Sequence, residues 1–229
     1  IIMEYSFINT TMPIKIGDDT GIGGHCLLFT HGSWLNQLDG FPVSFAPITL
    51  GQKVWLPWRV FIMPGVSLGD NVVVGANSLI NKSFESNCLI AGSPAKIIKD
   101  NFPSPITEEK VKEIFSGFLS DFLQHLQYYG VEFERIENSE RILVNGNYKG
   151  KKFSLTINEN RFDLPEELRN IDSVIVSNIS KENNSLPKNI TMNVMYLDVF
   201  NKTRIGKSDI GEEFVKFVSR YGLRFSRLD

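Results

Sequence analysis

His31 stands where two kinds of sequence meet. A six-residue repeat runs up to it, and Thr30-His31-Gly32 closes that repeat before a loop begins. A neutral imidazole at such a point can take a proton from a hydroxyl or amine as that group attacks an electrophile, because imidazole changes charge near neutral pH. Trp34 and Asn36 follow in the loop and are candidates to face a bound substrate, with Trp55 a further candidate downstream. The other two histidines are weaker candidates. His25 occupies the fourth place of a repeat block, which points outward, and His125 lies off the main apolar stripe of a helix, which predicts a surface position. Cys26 falls inside a repeat block and reads as a small core residue rather than a nucleophile.

These residues depend on the repeat to position them. Leu50, Leu56, Ile62, Leu68, Val74 and Ile80 recur at every sixth place, and Ile16, Ile22 and Leu28 keep the same step upstream. Gly17, Gly23, Gly51, Gly69 and Gly75 each follow one of these aliphatic residues. Neither a helix nor an ordinary strand asks for a period of six, so a short structural repeat is the first reading. The fifth place of most blocks is Val or another small residue. Glycine beside the aliphatic residue is expected to serve corners whose backbone angles a Cβ would penalise. The repeat is interrupted once, by an excursion over residues 34–49 that holds Gly40, Pro42 and Pro47 and reads as a functional loop.

The repeat resembles that of the hexapeptide acyltransferases, and within them the sugar O-acetyltransferases of the maltose and galactoside type. The most specific matches are Thr30-His31 with its loop, Val54-Trp55, Met63-Pro64-Gly65-Val66, Gly75-Ala76-Asn77-Ser78 and Ala91-Gly92-Ser93-Pro94-Ala95-Lys96. The resemblance implies a left-handed parallel β-helix in which three blocks make one turn and Leu50, Leu56 and Ile62 stack on Ile16, Ile22 and Leu28. Left-handed crossovers depart from a general rule of parallel sheets, so this expectation rests on the repeat alone. The resemblance also implies acetyl-CoA as co-substrate, no metal, His31 as general base and direct transfer without an acyl-enzyme. It puts Gly75 and Ala76 beside the pantetheine and Lys96, with Lys82 and Lys99, near the nucleotide phosphates. It implies a homotrimer with the site shared between neighbours. What orients the second nitrogen of His31 is open between a backbone carbonyl, Asp39 and Asp18. One departure is Pro57-Trp58, where the family has glycine and small residues; Trp58 is expected to narrow a channel or cover an interface. The acceptor is a saccharide or another small molecule; N-acetylation of an amino sugar, serine-type acetylation, and a non-catalytic scaffold are the alternatives.

The fold class expected is mainly β: a β-helix domain over residues 1–100 and a small α+β domain over 101–229. The sequence begins with Ile rather than Met, so residues 1–15 are read as an incomplete turn of a longer chain. Thr107 is a good N-cap and apolar residues from Val111 to Leu126 recur at helical spacing, which predicts a helix over 107–129 with Gly130 as its stop. Strands are expected at 131–136, 141–144, 152–157, 172–179 and 191–200, turns at Asn145-Gly146 and Tyr148-Lys149-Gly150, and a helix over 212–221. No catalytic motif marks this part. With 42% hydrophobic residues, 22% charged residues and a net charge of -2, the chain is of ordinary globular composition, without the basic runs that suit nucleic acid. Two cysteines without metal spacing fit a reducing compartment, and the absence of an apolar span or leader points to a cytoplasmic protein that does not insert into membranes.

Overall fold

The computed structural model describes residues 1–137, 141–158, 168, 171–178, 186–187 and 193–228. It forms two compact units, Ile1–Pro105 and Ile106–Asp229. The first is mainly β and built from short parallel strands. One sheet holds Ile14–Ile16, Ile48–Leu50 and Ser67–Leu68; a second holds Gly21–Ile22, Trp55–Leu56, Val73–Val74 and Cys88–Gly92; a third holds Phe7–Ile8, Leu27–Leu28, Phe61–Ile62 and Leu79–Ile80. The chain visits the three sheets in turn and then returns. Leu50 therefore pairs with Leu68 and Ile62 with Ile80, three hexapeptides apart. Across the interruption Ile16 pairs with Leu50, Ile22 with Leu56 and Leu28 with Ile62. Ala95–Asp100 then closes the second sheet antiparallel to Cys88–Gly92.

Burial follows the period of six at two phases. Ile22, Leu28, Leu50, Leu56, Ile62, Leu68, Val74 and Ile80 face inward, as do the fifth-place residues Cys26, Val54, Val60, Val66 and Val72. Ile16 departs from this and stays 41% exposed. Its strand is the edge of the first sheet, so nothing stacks beneath it.

The glycines serve a different purpose from the one expected. Left-handed backbone occurs two places further on, at Asp19, His25, Lys53, Arg59, Asn71 and Asn77, with φ between 54° and 58°. Gly17, Gly23, Gly51 and Gly69 instead lie where one turn of chain presses on the next. A Cβ on Gly17 would come within 2.6 Å of the backbone of Gly51, and one on Gly51 within 2.7 Å of Gly69. Backbone cannot swing aside as a side chain can, so Gly51→Ala is expected to cost about 1–3 kcal/mol. All three tryptophans, Trp34, Trp55 and Trp58, lie in this unit, so their fluorescence during urea unfolding reads that loss directly.

Among the described residues, the second unit is a mixed sheet of seven strands in chain order, Phe133–Glu137, Arg141–Tyr148, Lys151–Asn158, Ser173–Asn178, Val194–Asp198, Thr203–Gly206 and Ser226–Arg227. The three central strands are parallel and their neighbours antiparallel. Helices α1, Glu108–Tyr128, and α2, Asp209–Ser219, share one core cluster with the sheet. Thr107 caps α1 by accepting from the amide of Lys110, and Ser208 starts α2 a turn earlier than the apolar pattern alone suggested by accepting from the amide of Gly211. Asn145-Gly146 is not a turn: it lies inside a strand, where a Cβ on Gly146 would meet the Glu132 carbonyl at 2.6 Å and the Phe153 ring at 2.7 Å. The chain turns at Lys149-Gly150, both in left-handed backbone. Ile179 and residues 191–192 of the expected strands lie outside the described residues. Among the described residues no helix is long and apolar enough to cross a membrane.

Candidate active site

The site is built outward from Thr30, which is fully buried at the corner after Leu27–Leu28. Its hydroxyl lies 2.9 Å from both the backbone oxygen and Oδ1 of Asn9, to which it donates, and it accepts from the amide of Met12 at 3.0 Å. Residues 9–12 are thereby fastened beside the next residue, His31. Asn9 Oδ1 lies 2.9 Å from His31 Nδ1, and the Thr11 hydroxyl lies at 3.4 Å. A carboxamide oxygen can only accept, so this contact favours the proton on Nδ1, and in the neutral imidazole it leaves the lone pair on Nε2. The imidazole stacks on Phe45, with centroids 6.0 Å apart and planes at 17°, and tilts against Phe29.

Phe45 reaches the histidine because the excursion is not a structureless loop. His31–Gly32 and Ser44–Phe45 pair antiparallel, and Ala46 donates its amide to the Thr30 carbonyl at 3.0 Å. Between these strands Gln37–Asp39 forms a short 3-10 turn. A cleft of about 510 Å³ opens there, lined by Phe29, His31, Gly32, Ser33, Trp34, Leu35, Phe41 and Pro42. Its only titratable wall group is His31. Trp34 is 96% exposed at its rim. An aromatic, uncharged cleft with one imidazole suits a neutral acceptor that presents an apolar face and a hydroxyl.

The expected site residues fall into separate groups. His31 and Trp34 share the cleft. Asn36 does not line it; its side chain accepts from the amide of Leu38 and caps the 3-10 turn. Trp55 lies on the second sheet, packed over Gly21. Gly75 sits directly under Ala91, which pairs with Lys96, so Gly75, Ala76 and Lys96 form a second group at the corner between the second and third sheets. Ser78 ties this group together, donating to the Gly75 carbonyl at 2.7 Å and accepting from the Gly92 amide at 3.1 Å. Lys82 lies at the same corner as His31 but two turns along, about 10 Å at the usual strand spacing. Its ammonium lies over the Phe84 ring, and that of Lys99 over Phe102.

His25 is remote from the cleft, stacked on Tyr5 and tilted against Trp58 on the outer surface. Trp58 lies over Gly24 and against that histidine, in the preceding turn. Cys26 is fully buried and donates to the Pro57 carbonyl at 2.9 Å; burial pushes its thiol up, against backbone hydrogen bonds that pull it down. A thiol held protonated is a poor nucleophile. His125 is not a bare surface residue. It joins an aromatic cluster in the second unit with Phe122, Tyr129 and Phe217.

Asn9 was not anticipated; neither Asp18 nor Asp39 fills its role. Its signal was present. Ile2, Ile8 and Ile14 also recur at every sixth place, and they pair with Ile22, Leu28 and Ile48. They are two residues out of phase with Ile16. That phase jump is an enlarged corner, and the enlarged corner is what carries Asn9 and Thr11 against His31. Should His31 act as a general base, Asn9→Ala is expected to lower kcat by roughly 10-fold, the worth of one hydrogen bond to an imidazole that becomes charged, with KM little changed. Asn9→Asp restores an acceptor at the same atom and is expected to recover most of the rate. A kcat unchanged in Asn9→Ala means that this hydrogen bond does not position the base.

The comparisons with known proteins agree with the repeat. Residues 58–82 match the family model described as the hexapeptide repeat of succinyl-transferase. Galactoside O-acetyltransferase of Escherichia coli K12 is 37% identical over 103 residues, covering 42% of this chain and 50% of that protein. Chloramphenicol acetyltransferase of Morganella morganii is 29% identical over 115 residues, covering 50% of this chain and 48% of that protein. A crystal structure of a hexapeptide-repeat-containing acetyltransferase from Vibrio cholerae, complexed with acetyl coenzyme A, is 30% identical over 42% of this chain and 54% of that one, with a TM-score of 0.39. The chain spans about half the length of the curated relatives it matches.

Proposed function

We propose, from the premise that the amino-terminal unit carries the hexapeptide repeat of the acyltransferases, that the protein is an acetyl-CoA-dependent acetyltransferase acting on a saccharide hydroxyl. The observation that carries this reading is the Asn9–His31 hydrogen bond at 2.9 Å, which leaves Nε2 as a base at an aromatic cleft. The acceptor hydroxyl gives its proton to Nε2 as its oxygen bonds to the thioester carbonyl carbon. The carbon–sulfur bond then breaks, and the imidazolium returns the proton to the departing thiolate. The products are an acetyl ester and free CoA. No acyl-enzyme forms, and neither cysteine takes part.

Gly75 and Ala76 are assigned to the pantetheine, where small residues allow close approach, and Lys96 with Lys82 to the nucleotide phosphates. Trp34 is assigned to the acceptor. Within one chain the Gly75–Lys96 group and His31 occupy different corners. The reading therefore includes a left-handed β-helix assembled as a homotrimer, in which the cleft of one copy faces the Gly75 corner of the next. Use of acetyl-CoA puts the reaction in the cytoplasm. Light scattering is expected to give three times the chain mass of 25.9 kDa; a monomer that is fully active rules out the shared site.

The deciding experiment incubates the full chain with acetyl-CoA and a panel of galactosides, maltose, amino sugars, serine and small aromatic alcohols, and follows free thiol. Thiol release with a neutral saccharide supports the proposal. Release only with amino sugars or serine moves it to N-acetylation or serine-type acetylation. An aromatic alcohol as sole acceptor favours a second reading, an acetyltransferase of an apolar alcohol, which the aromatic lining of the cleft supports. No release with any acceptor, together with no binding of CoA, points to a scaffold.

A further inference from the structure

The second unit has a cavity of its own, lined entirely by residues of that unit. It measures about 540 Å³ and opens between α1, α2 and the turn at Tyr148-Lys149. One wall is aromatic. His125 of α1 and Tyr129, its C-cap residue one turn on, meet edge to face at 4.9 Å, and His125 lies 5.0 Å from Phe217 of α2. The rim is cationic. Lys216 and Arg220 project from successive turns of α2, and Lys149 stands across from them on the hairpin turn. Arg220 lies over the Phe217 ring at 3.8 Å and Lys149 over Tyr148 at 4.6 Å, so two of the charges are held in place by ring faces. A hydrogen bond from its ammonium to the Tyr148 hydroxyl pushes Lys149 further up from the ordinary lysine value.

One carboxylate faces these three cations. Glu213 accepts from the Tyr148 hydroxyl at 3.2 Å, so its charge is already shared with a neutral donor. No ion pair with Lys216 or Arg220 forms among the described residues. The cavity thus carries a surplus of positive charge next to single aromatic faces, with a hydroxyl–carboxylate pair between them. The rings meet edge-on or tilted, which leaves no parallel-walled slot for a flat base. One ring face suits the C–H side of a sugar, Glu213 and Tyr148 suit its hydroxyls, and the cations suit an anionic substituent. The volume lies within the usual range for small-ligand sites.

We infer that this cavity is a binding site for an anionic sugar, a pyranose bearing a carboxylate or a phosphate, free or as a unit of a polysaccharide. The site is independent of the acetyl-transfer reading and stands if that reading fails. It gives the second unit a task, which is to hold an acidic saccharide on the same chain as the repeat.

Calorimetric titration of the full chain with D-glucuronate, D-glucose 6-phosphate, D-glucose and AMP tests it. At least one of the first two is expected to bind at least 10-fold more tightly than glucose; which one wins identifies carboxylate or phosphate as the anion. Lys216→Gln combined with Arg220→Gln is expected to weaken that binding by at least about 10-fold, the loss typical of charge-assisted hydrogen bonds. Because Arg220 also packs on Phe217, the melting curve of the double variant is compared with wild type; if it is shifted, Lys216→Gln alone decides, with an expected weakening of about threefold or more. Glucose equal to both anions, AMP tighter than both, no heat from any probe at 10 mM, or variants that bind unchanged each overturn the inference.

Discussion

On the proposed reading, replacing His31 by Ala is expected to slow acetyl transfer by about 10²- to 10⁴-fold, the range that a positioned general base contributes. The size follows from what remains. The variant keeps Thr30 and its bonds to Asn9, and it keeps the pairing of His31–Gly32 with Ser44–Phe45, which runs through backbone. The cleft therefore persists, and substrates still meet in it. What disappears is the proposed acceptor for the hydroxyl proton, and among the described residues lining that cleft no second titratable side chain replaces it. On the proposed reading the effect is expected in kcat, with donor binding unchanged, because the base would take the acceptor's proton and would not touch the nucleotide. Thiol release at saturating acetyl-CoA measures it. A variant within threefold of wild type would show that the base lies elsewhere and would remove the ground for assigning the cleft.

Leu56→Ala carries the largest expected loss of stability, about 2–5 kcal/mol. Leu56 is fully buried and stacks on Ile22, with Val74 in the next turn of its sheet. Those neighbours cannot settle into the space, because each turn is tied to the next by its own ladder: Gly23 donates to Leu56, Trp55 to Val72 and Gly75 to Ile90, all through backbone. A cavity between tied layers stays open, which puts this site at the costly end of such substitutions. Tryptophan fluorescence in urea measures the loss in the amino-terminal unit. A loss below 1 kcal/mol would mean that the layers are not held at that spacing.

The period of six determined much of this protein before any coordinates. It dictated which aliphatic residues turn inward, because a chain that crosses three sheets in turn must bring one face to the core in every block, returning to the same sheet at every third. It also marked His31, because the tripeptide sits where the period stops. Helix α1 was equally legible, since Thr107, the apolar spacing and Gly130 are local signals that act within one turn of chain. Other features depend on residues brought together from afar. Gly17 and Gly51 look alike as corner glycines in sequence, yet what they avoid is a neighbouring turn of backbone, which only stacking supplies. Asn145-Gly146 has the chemistry of a turn, and packing against Phe153 and Glu132 makes it strand instead. His125 looked like a surface residue on one helix and became part of a cavity wall when a second helix came to lie beside it.

Asn9 marks the boundary between the two kinds of knowledge. Its isoleucine neighbours announced a further turn of repeat, two residues out of step. Hydrophobic period reports which side chains are inside; it does not report the path of a corner, which is set by backbone hydrogen bonds and by what the corner lies against. That the slack in this corner delivers a carboxamide oxygen to an imidazole, and so selects the nitrogen that can accept a proton, was decided by tertiary structure.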